Sequence, residues 1–383
     1  MTVLQGMTWD HPRGKAPLVA LGARSGSKGQ TAVEWSARSL QAFADYPLDE
    51  LASTYDLIII DHPHVPLVAR EDLLVPLDRD GERAQALQEL AAQSVGASFA
   101  SYTHTGHVWA LPVDAAAQVA VCRPDLLSDL PRTWEDVVEL ARDGRVLWPT
   151  KPVDAMSSFL TLASQRGAEI CGTPDRFIEH ELGLTVLQAM HALSDRVPPA
   201  CRQENPIETA ERLATSDSWL YAPLAYGYVN YSRPGFRPHR LAYRDIPEGP
   251  KGVAGSCLGG AGIAVSAHAR DRDAAIDVAF WLASAPLQAG EYYWRGGQPA
   301  NALAWESPAL NEDSWNFFAG TRATLEGASL RPRHARWMQM QEHLGDAVHS
   351  ALCRELSDEA CLDQLDAAWQ RLVRAADTPG AGP

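Results

Sequence analysis

The segment from Tyr55 to Ile60 constrains the chain most, because it ends in four consecutive apolar residues, Leu57 to Ile60, and is closed at once by Asp61, His62, Pro63 and His64. A run this short, branched and apolar reads as a strand buried on both faces, the position of a central strand in a parallel sheet. The residues before it follow the same logic. Val3 to Trp9 reads as a strand that stops at Asp10, His11 and Pro12, since the proline pushes His11 out of helical geometry. Leu18 to Ala23 begins a short helical segment, Ser25 to Gln30 is a polar turn, Thr31 to Trp35 suits a second strand, and Ser39 to Leu51 is mostly helical. Strand and helix alternate, which predicts an α/β domain with a mainly parallel sheet and a ligand region beyond the carboxyl ends of the strands.

Length and charge narrow the function. A chain of 383 residues holds two domains of ordinary size. Its 33 Lys and Arg against 48 Asp and Glu leave a net charge of -15, which repels phosphate backbones and anionic membrane surfaces. Nucleic acid is therefore excluded as a partner, and no apolar run approaches the roughly 20 residues of a membrane-spanning helix. Six cysteines (Cys122, Cys171, Cys201, Cys257, Cys353 and Cys361) stand without a C-x-x-C pair, so zinc-ribbon and thioredoxin-type readings fail and no disulfide is assigned. The start of the chain shows no basic segment followed by an apolar stretch and a small-residue cleavage site. Read as it stands, the chain is cytoplasmic; with a leader ahead of it, it is extracytoplasmic.

Farther along, Arg83 to Gln93 reads as helix, Gly106 to Asp114 as a strand, and Gln118 to Cys122 as another. Thr133 caps a helix from Trp134 to Arg142 with Glu135 and Asp136 in its first turn. Helices dominate to Leu193. Trp219 to Tyr231 then places five aromatics in thirteen positions. Glycines at Gly255, Gly259, Gly260 and Gly262 precede a strand and the amphipathic helix Asp273 to Ala283, and Arg336 to Ala375 forms two helical stretches broken at Ser357, ahead of a frayed end from Thr378 to Pro383.

Six pieces of this order resemble extracellular solute-binding protein family 1, the carbohydrate-type receptors of ABC importers that include maltose-binding protein. They are the opening strand into Trp9, Asp10 and His11, the strand from Tyr55 to Asp61, and Leu74-Val75-Pro76-Leu77-Asp78. The hinge phrase Gly106 to Asp114, the helix start Pro131 to Val137, and Gly259 to Ser266 followed by Ala279, Phe280 and Trp281 complete the set. The resemblance implies a periplasmic-binding-protein-like type II fold, with two α/β lobes, a hinge and a ligand cleft between them. It divides the chain into 1–111 plus 259–314 for lobe one and 112–258 plus 315–383 for lobe two. It also implies a small-molecule ligand, ABC-transporter membrane subunits as partners if the chain is exported, no cofactor, and a monomer.

Candidate ligand residues follow from strand ends and from the family picture. Trp9, Asp10, His11 and Arg13 follow the first strand, where an indole stacks on a sugar face and the acid and cation bind hydroxyls. Asp61 and His62 lie at the end of the neighbouring strand, and with His64 and His11 they are expected to converge on one region of the cleft. His62 and His64 point to opposite sides unless Pro63 turns the chain. Asp114 is placed to accept ligand hydroxyls, Tyr221 and Tyr226 (with Trp219 and Tyr228) to form an aromatic wall, and Gly259 and Gly260 to admit a ligand close to the backbone. Trp294 and Arg295 complete the set as holders of an anionic substituent. No metal is assigned, because the His and Asp spacing is not diagnostic.

The expected function is capture of a small polar solute, a saccharide or sugar acid, for an ABC importer. Its rival is a cytoplasmic enzyme or metabolite sensor on the same fold, with His11, Asp61, His62 and Asp10 as the reacting centre. The glycines do not follow the G-x-G-x-x-G spacing of a nucleotide fingerprint.

Overall fold

The computed structural model describes residues 3–28, 31–39, 48–79 and 81–376. Most of the helix expected from Ser39 to Leu51 therefore falls outside the described residues, which take up the chain again at the helix Leu48–Thr54. The expected frayed end from Thr378 also lies outside them.

Nine strands lie among the described residues: β1 (Val3–Trp9), β2 (Ala32–Arg38), β3 (Leu57–Ile60), β4 (Thr103–His104), β5 (His107–Val108), β6 (Leu111–Cys122), β7 (Tyr221–Tyr226), β8 (Ala242–Arg244) and β9 (Leu258–Val265). The main sheet runs β2-β1-β3-β9-β6-β7, with β8 also on β6. Only β1, β2 and β3 are parallel, and every pairing of β6 and β9 is antiparallel. The expectation of a mainly parallel sheet is thus corrected to a mixed one. The reason is β9, which returns from the second lobe and enters between β3 and β6 against the direction that both of them share.

β3 is buried on both faces, as its composition requires. Leu57 and Ile59 pack into one apolar core with Leu4, Val33 and Ile263, while Ile58 and Ile60 pack into another with Met7, Val65 and Val68. The first of these cores takes its helix from Arg272–Ala283, whose buried Ala275, Val278, Ala279 and Leu282 fall on one helical stripe. These two cores together make lobe one.

Residues expected as two strands form the single strand β6, which passes from one lobe to the other. Leu111 and Val113 belong to the core of lobe one, and Ala115 to Cys122 contribute to a third core, that of lobe two. β6 pairs with β9 from Leu111 to Ala117 and with β7 from Gln118 to Cys122. A register shift between Pro112 and Asp114 re-aims the strand where the lobes meet. Lobe two buries Trp148, Phe159, Phe177 and Trp337 and is built on helices, among them Trp134–Leu140, which Thr133 and Asp136 close with reciprocal capping bonds. Tyr292 lies in the core of lobe one, whereas Tyr293, Ala300, Trp305 and Leu310 lie in that of lobe two. That step is the third passage between lobes; after the helix Phe317–Glu326 the chain stays in lobe two, and Ser329 pairs with Cys257 beside the start of β9. All six cysteines are free thiols.

Candidate functional site

The carboxyl ends of β1 and β3 lie side by side, and each carries a polar cluster into the seam between the lobes. At the end of β1, His11 caps the helix Pro12–Leu21, its Nδ1 accepting the Arg13 backbone N–H at 3.1 Å. That bond places the imidazole proton on Nε2. Burial first, and then the neighbouring Arg13, hold the His11 pKa down to about 3. Its ring meets Tyr228 edge to face at 4.7 Å.

Arg13 crosses the seam. Its Nε and Nη2 donate to the two oxygens of Asp114 at 2.7 and 2.5 Å, and its Nη1 donates to the Gly227 carbonyl at 2.7 Å. The guanidinium lies 4.5 Å from the centre of the Tyr228 ring. Burial works against its charge, and Asp114 more than offsets that, so the Arg13 pKa lies above its usual value. Burial, and then Asp114 and Asp154, push Tyr228 up to about 12 against the opposing effect of Arg13.

At the end of β3, Asp61 caps a single 3-10 turn, His62–His64, by accepting the His62 N–H at 2.8 Å. Pro63 therefore does turn the chain, and both imidazoles are buried. Arg331, from the segment after Ser329, donates its Nη2 to both Asp61 oxygens at 2.7 and 2.5 Å and its Nη1 to Gln341 at 3.2 Å. His62 donates from Nε2 to the Leu258 carbonyl at 3.2 Å, which leaves Nδ1 as an acceptor. Burial, followed by Arg331, holds His62 at about 3, and burial holds His64 at about 4. Four groups here have no hydrogen-bond partner among the described residues: His62 Nδ1, both nitrogens of His64, Arg331 Nε and the Tyr226 hydroxyl. The last lies beside Cys257 and Ser157, whose effects reach it, but outside bonding geometry.

The structure thus divides the expected convergence into two adjoining clusters, His11, Arg13 and Asp114 in one and Asp61, His62 and His64 in the other. The remaining expected residues fall elsewhere. Trp9 is turned into the core of lobe one, where a Cβ on Gly14 would lie 2.3 Å from its ring. Asp10 points to solvent and pairs with Lys15 at 3.1 Å. Tyr221 packs in the core of lobe two opposite Cys122, and a bulge in β7 between Ala222 and Ala225 keeps it on the same sheet face as Tyr226, which opposes Gln118. Trp219 lies under Arg212, whose guanidinium is 4.3 Å from its ring. Gly259 accommodates the Tyr226 ring, which a Cβ would approach to 2.7 Å, and Gly260 accommodates the Asp114 backbone. Trp294 is 48% exposed, with Arg233 rather than Arg295 over its ring at 5.8 Å. Arg295 reaches Glu291 at 3.9 Å. The loop they lead into meets the seam through Gly296, whose carbonyl accepts the Asn230 amide at 3.1 Å, and through buried Gln298, which accepts the Val229 N–H and donates to the Ala115 carbonyl, both at 2.8 Å. Among the described residues no group of His, Cys, Asp or Glu is placed to hold a metal ion.

Two strand-end clusters facing a seam, with the chain crossing it repeatedly, set the terms for comparison with known proteins. Residues 48–318 match the family model described as bacterial extracellular solute-binding protein. The chain belongs to that family. Solved structures agree on the fold. Maltose-bound MalE3 of T. maritima superposes with a TM-score of 0.79 at 18% identity, over 97% of this chain and 99% of that one. A solute-binding protein of Agrobacterium radiobacter K84 in complex with ribitol gives 0.81 at 20% identity, over 97% and 98%. One of Thermotoga lettingae bound with α-D-tagatose gives 0.81 at 16%, over 97% and 100%. No helix among the described residues is long and apolar enough to cross a membrane.

Family membership makes the seam the place to look, and there the sequence reading missed three groups. Arg331 and Arg333 flank Pro332 in a segment that offers no periodicity, although two arginines around a proline in an acidic chain were a visible signal. Asp154 is the third. It stands in the first turn of the helix Pro152–Gln165, 4% exposed, with Oδ2 unpartnered among the described residues. Burial raises its pKa to about 8, against the pull of Lys151. A carboxyl raised in the folded state contributes no cost below its unfolded value near 4, and its cost grows as pH rises to the folded value. Asp154→Asn is therefore expected to stabilise the protein by about 1–3 kcal/mol at pH 8 and by nothing measurable at pH 4. Urea unfolding of both proteins at the two pH values checks this, and an equal effect at both would place Asp154 in contact with water.

Proposed function

We propose that the chain is the receptor of an ABC importer and that it holds a saccharide or related polyol at the seam, between the clusters of His11 and Asp61. The observation that carries this reading is the set of buried, unpartnered groups on His62, His64, Tyr226 and Arg331. They comprise both donors and acceptors, and a sugar hydroxyl, which gives one hydrogen and accepts others, satisfies both kinds. The charges around them are already paired, Arg13 with Asp114 and Arg331 with Asp61. That balance favours an uncharged solute over the sugar acid also considered. Solved relatives that hold maltose, ribitol and tagatose support the same class.

His11, Arg13, Asp61, His62, His64, Asp114, Tyr226 and Tyr228 form the proposed site, with Trp294 at its rim. Among the described residues we take lobe one as 3–111 plus 259–292 and lobe two as 112–258 plus 293–376, because Tyr293 to Leu310 pack in the second core. The enzyme reading has less support. A general base works best with a pKa near the operating pH, whereas His11 and His62 are held at about 3.

The test is a thermal-shift screen with maltose, ribitol, tagatose and mannitol, followed by native mass spectrometry of the recovered solute. A solute at a hundredfold excess over its Kd is expected to add about 2.7 kcal/mol of stability and to return unchanged. Failure of every sugar and polyol to shift the melt, or chemical conversion of the best one, would end the proposal.

A further inference from the structure

We infer that the lobes of this protein are latched together by its own side chains, so that the closed form predominates without any solute. This rests on reading the chain as a two-lobed receptor, and it adds a property that the reading does not contain. Two latches of opposite polarity stand at adjacent strand ends. From lobe one, Arg13 reaches through Asp114 on β6 to the Gly227 carbonyl and the Tyr228 ring of lobe two. From lobe two, Arg331 reaches Asp61 of lobe one, and Gln341, which binds its other nitrogen, also accepts the Trp337 indole N–H at 3.0 Å. Arg333 extends the second latch, donating to the Ser101 and Thr103 carbonyls of lobe one at 2.5 and 2.7 Å.

These bonds lie at the centre of the seam rather than on its surface. The Arg13 and Arg331 side chains are each 6% exposed, and the Asp114 side chain is fully buried. A buried ion is tolerated only when its partner and its remaining hydrogen bonds are in place. Arg13 uses all three nitrogens, two of them in a parallel fork on one carboxylate, the strongest arrangement available to a guanidinium. Opening the lobes would separate Arg331 from Asp61, Arg333 from two carbonyls, and Arg13 from Gly227 and Tyr228. A receptor shut by its solute alone needs none of these contacts, since differential affinity for the closed form would suffice. Arg13 and Arg331 are thus positioning residues, acting on solute capture through the equilibrium between open and closed forms.

Small-angle X-ray scattering on protein stripped of solute by unfolding in urea, dialysis and refolding tests the latch. Wild-type protein is expected at the compact radius of gyration of a chain this long, about 21 Å, with a profile matching the closed form. The Arg13→Gln/Arg331→Gln double variant is expected to give a larger radius while still melting cooperatively. Should that variant not fold, Asp61→Asn/Asp114→Asn weakens the same bonds from the acid side, and the wild-type measurement decides by itself. Stripped wild-type protein that scatters as an open form, or a folded variant whose profile superimposes on the wild type, would overturn the inference. Scattering needs no solute, so these outcomes are independent of the thermal-shift screen: a latch can fail while sugars still bind, and the reverse.

Discussion

Lowering the pH from 6.5 to 5 is expected to remove about 3 kcal/mol of folding stability, a large part of the 5–15 kcal/mol that a folded protein commands. His11 and His62 are held at about 3 and His64 at about 4, whereas an imidazole in the unfolded chain titrates near 6.5. Across that interval the unfolded chain binds three protons that the folded chain refuses, each worth about 1.4 kcal/mol per pH unit, so stability falls as pH falls. Asp154 acts in the other direction. With its pKa raised to about 8, the folded protein keeps a proton that the unfolded chain has lost. The net difference approaches two protons toward pH 5, where the slope reaches about 2.7 kcal/mol per pH unit. Urea unfolding at pH 7, 6 and 5 measures it, and His64→Gln should halve the slope. Stability that stays level across this range would mean that the three imidazoles are open to water.

Gly260→Ala is expected to cost about 2–5 kcal/mol, because two penalties fall on one residue. Its φ is +108°, where a side chain is strained, and a Cβ would stand 2.4 Å from the Asp114 carbonyl oxygen and 3.0 Å from the Cα of Ala115. Backbone cannot rotate away as a flexible side chain can, so β6 and β9 must separate at the point where Asp114 holds Arg13. Gly106→Ala is the control, since its φ is +81° and nothing lies within 4 Å of the added carbon. It should lose only the conformational part, about 1–2 kcal/mol. If chemical denaturation gives the two variants the same loss, the close approach of the two strands at Gly260 is wrong.

Much of this fold was legible in the sequence. Leu57 to Ile60 announced a strand covered on both faces, and the capped helix at Thr133 was readable residue by residue. The direction of β9 was not, since nothing in its composition distinguishes a strand that joins a sheet from one that returns to it. The site divided in the same way. His11, Arg13, Asp61 and His62 could be singled out because they follow the ends of parallel strands, and they remain in the proposed site. Trp9 and Asp10 were misplaced because which of several successive residues turns inward depends on the helix that follows, here on the space Gly14 leaves for an indole. Tyr221 and Tyr226 stand five residues apart on one strand, where plain alternation would part them; a bulge between them undoes that, and Tyr221 is instead taken up by the core of lobe two, which no spacing announces. Arg331 was missed because its role depends on a partner 270 residues away.

The insertion of β9 between β3 and β6 also sets a schedule for the chain as it is made. β3 is complete at Ile60, but the strand that covers its other edge ends only at Val265. At roughly 5–20 residues per second, the ribosome needs about 10–40 s to supply it. During that interval Leu57 to Ile60 presents an apolar strand with one unpaired edge, the kind of surface that recruits other chains. Yield of native protein should therefore depend on translation speed and on chaperones that shelter nascent lobe one, while lobe two, whose strands β7 and β8 follow β6 more closely, can begin folding earlier.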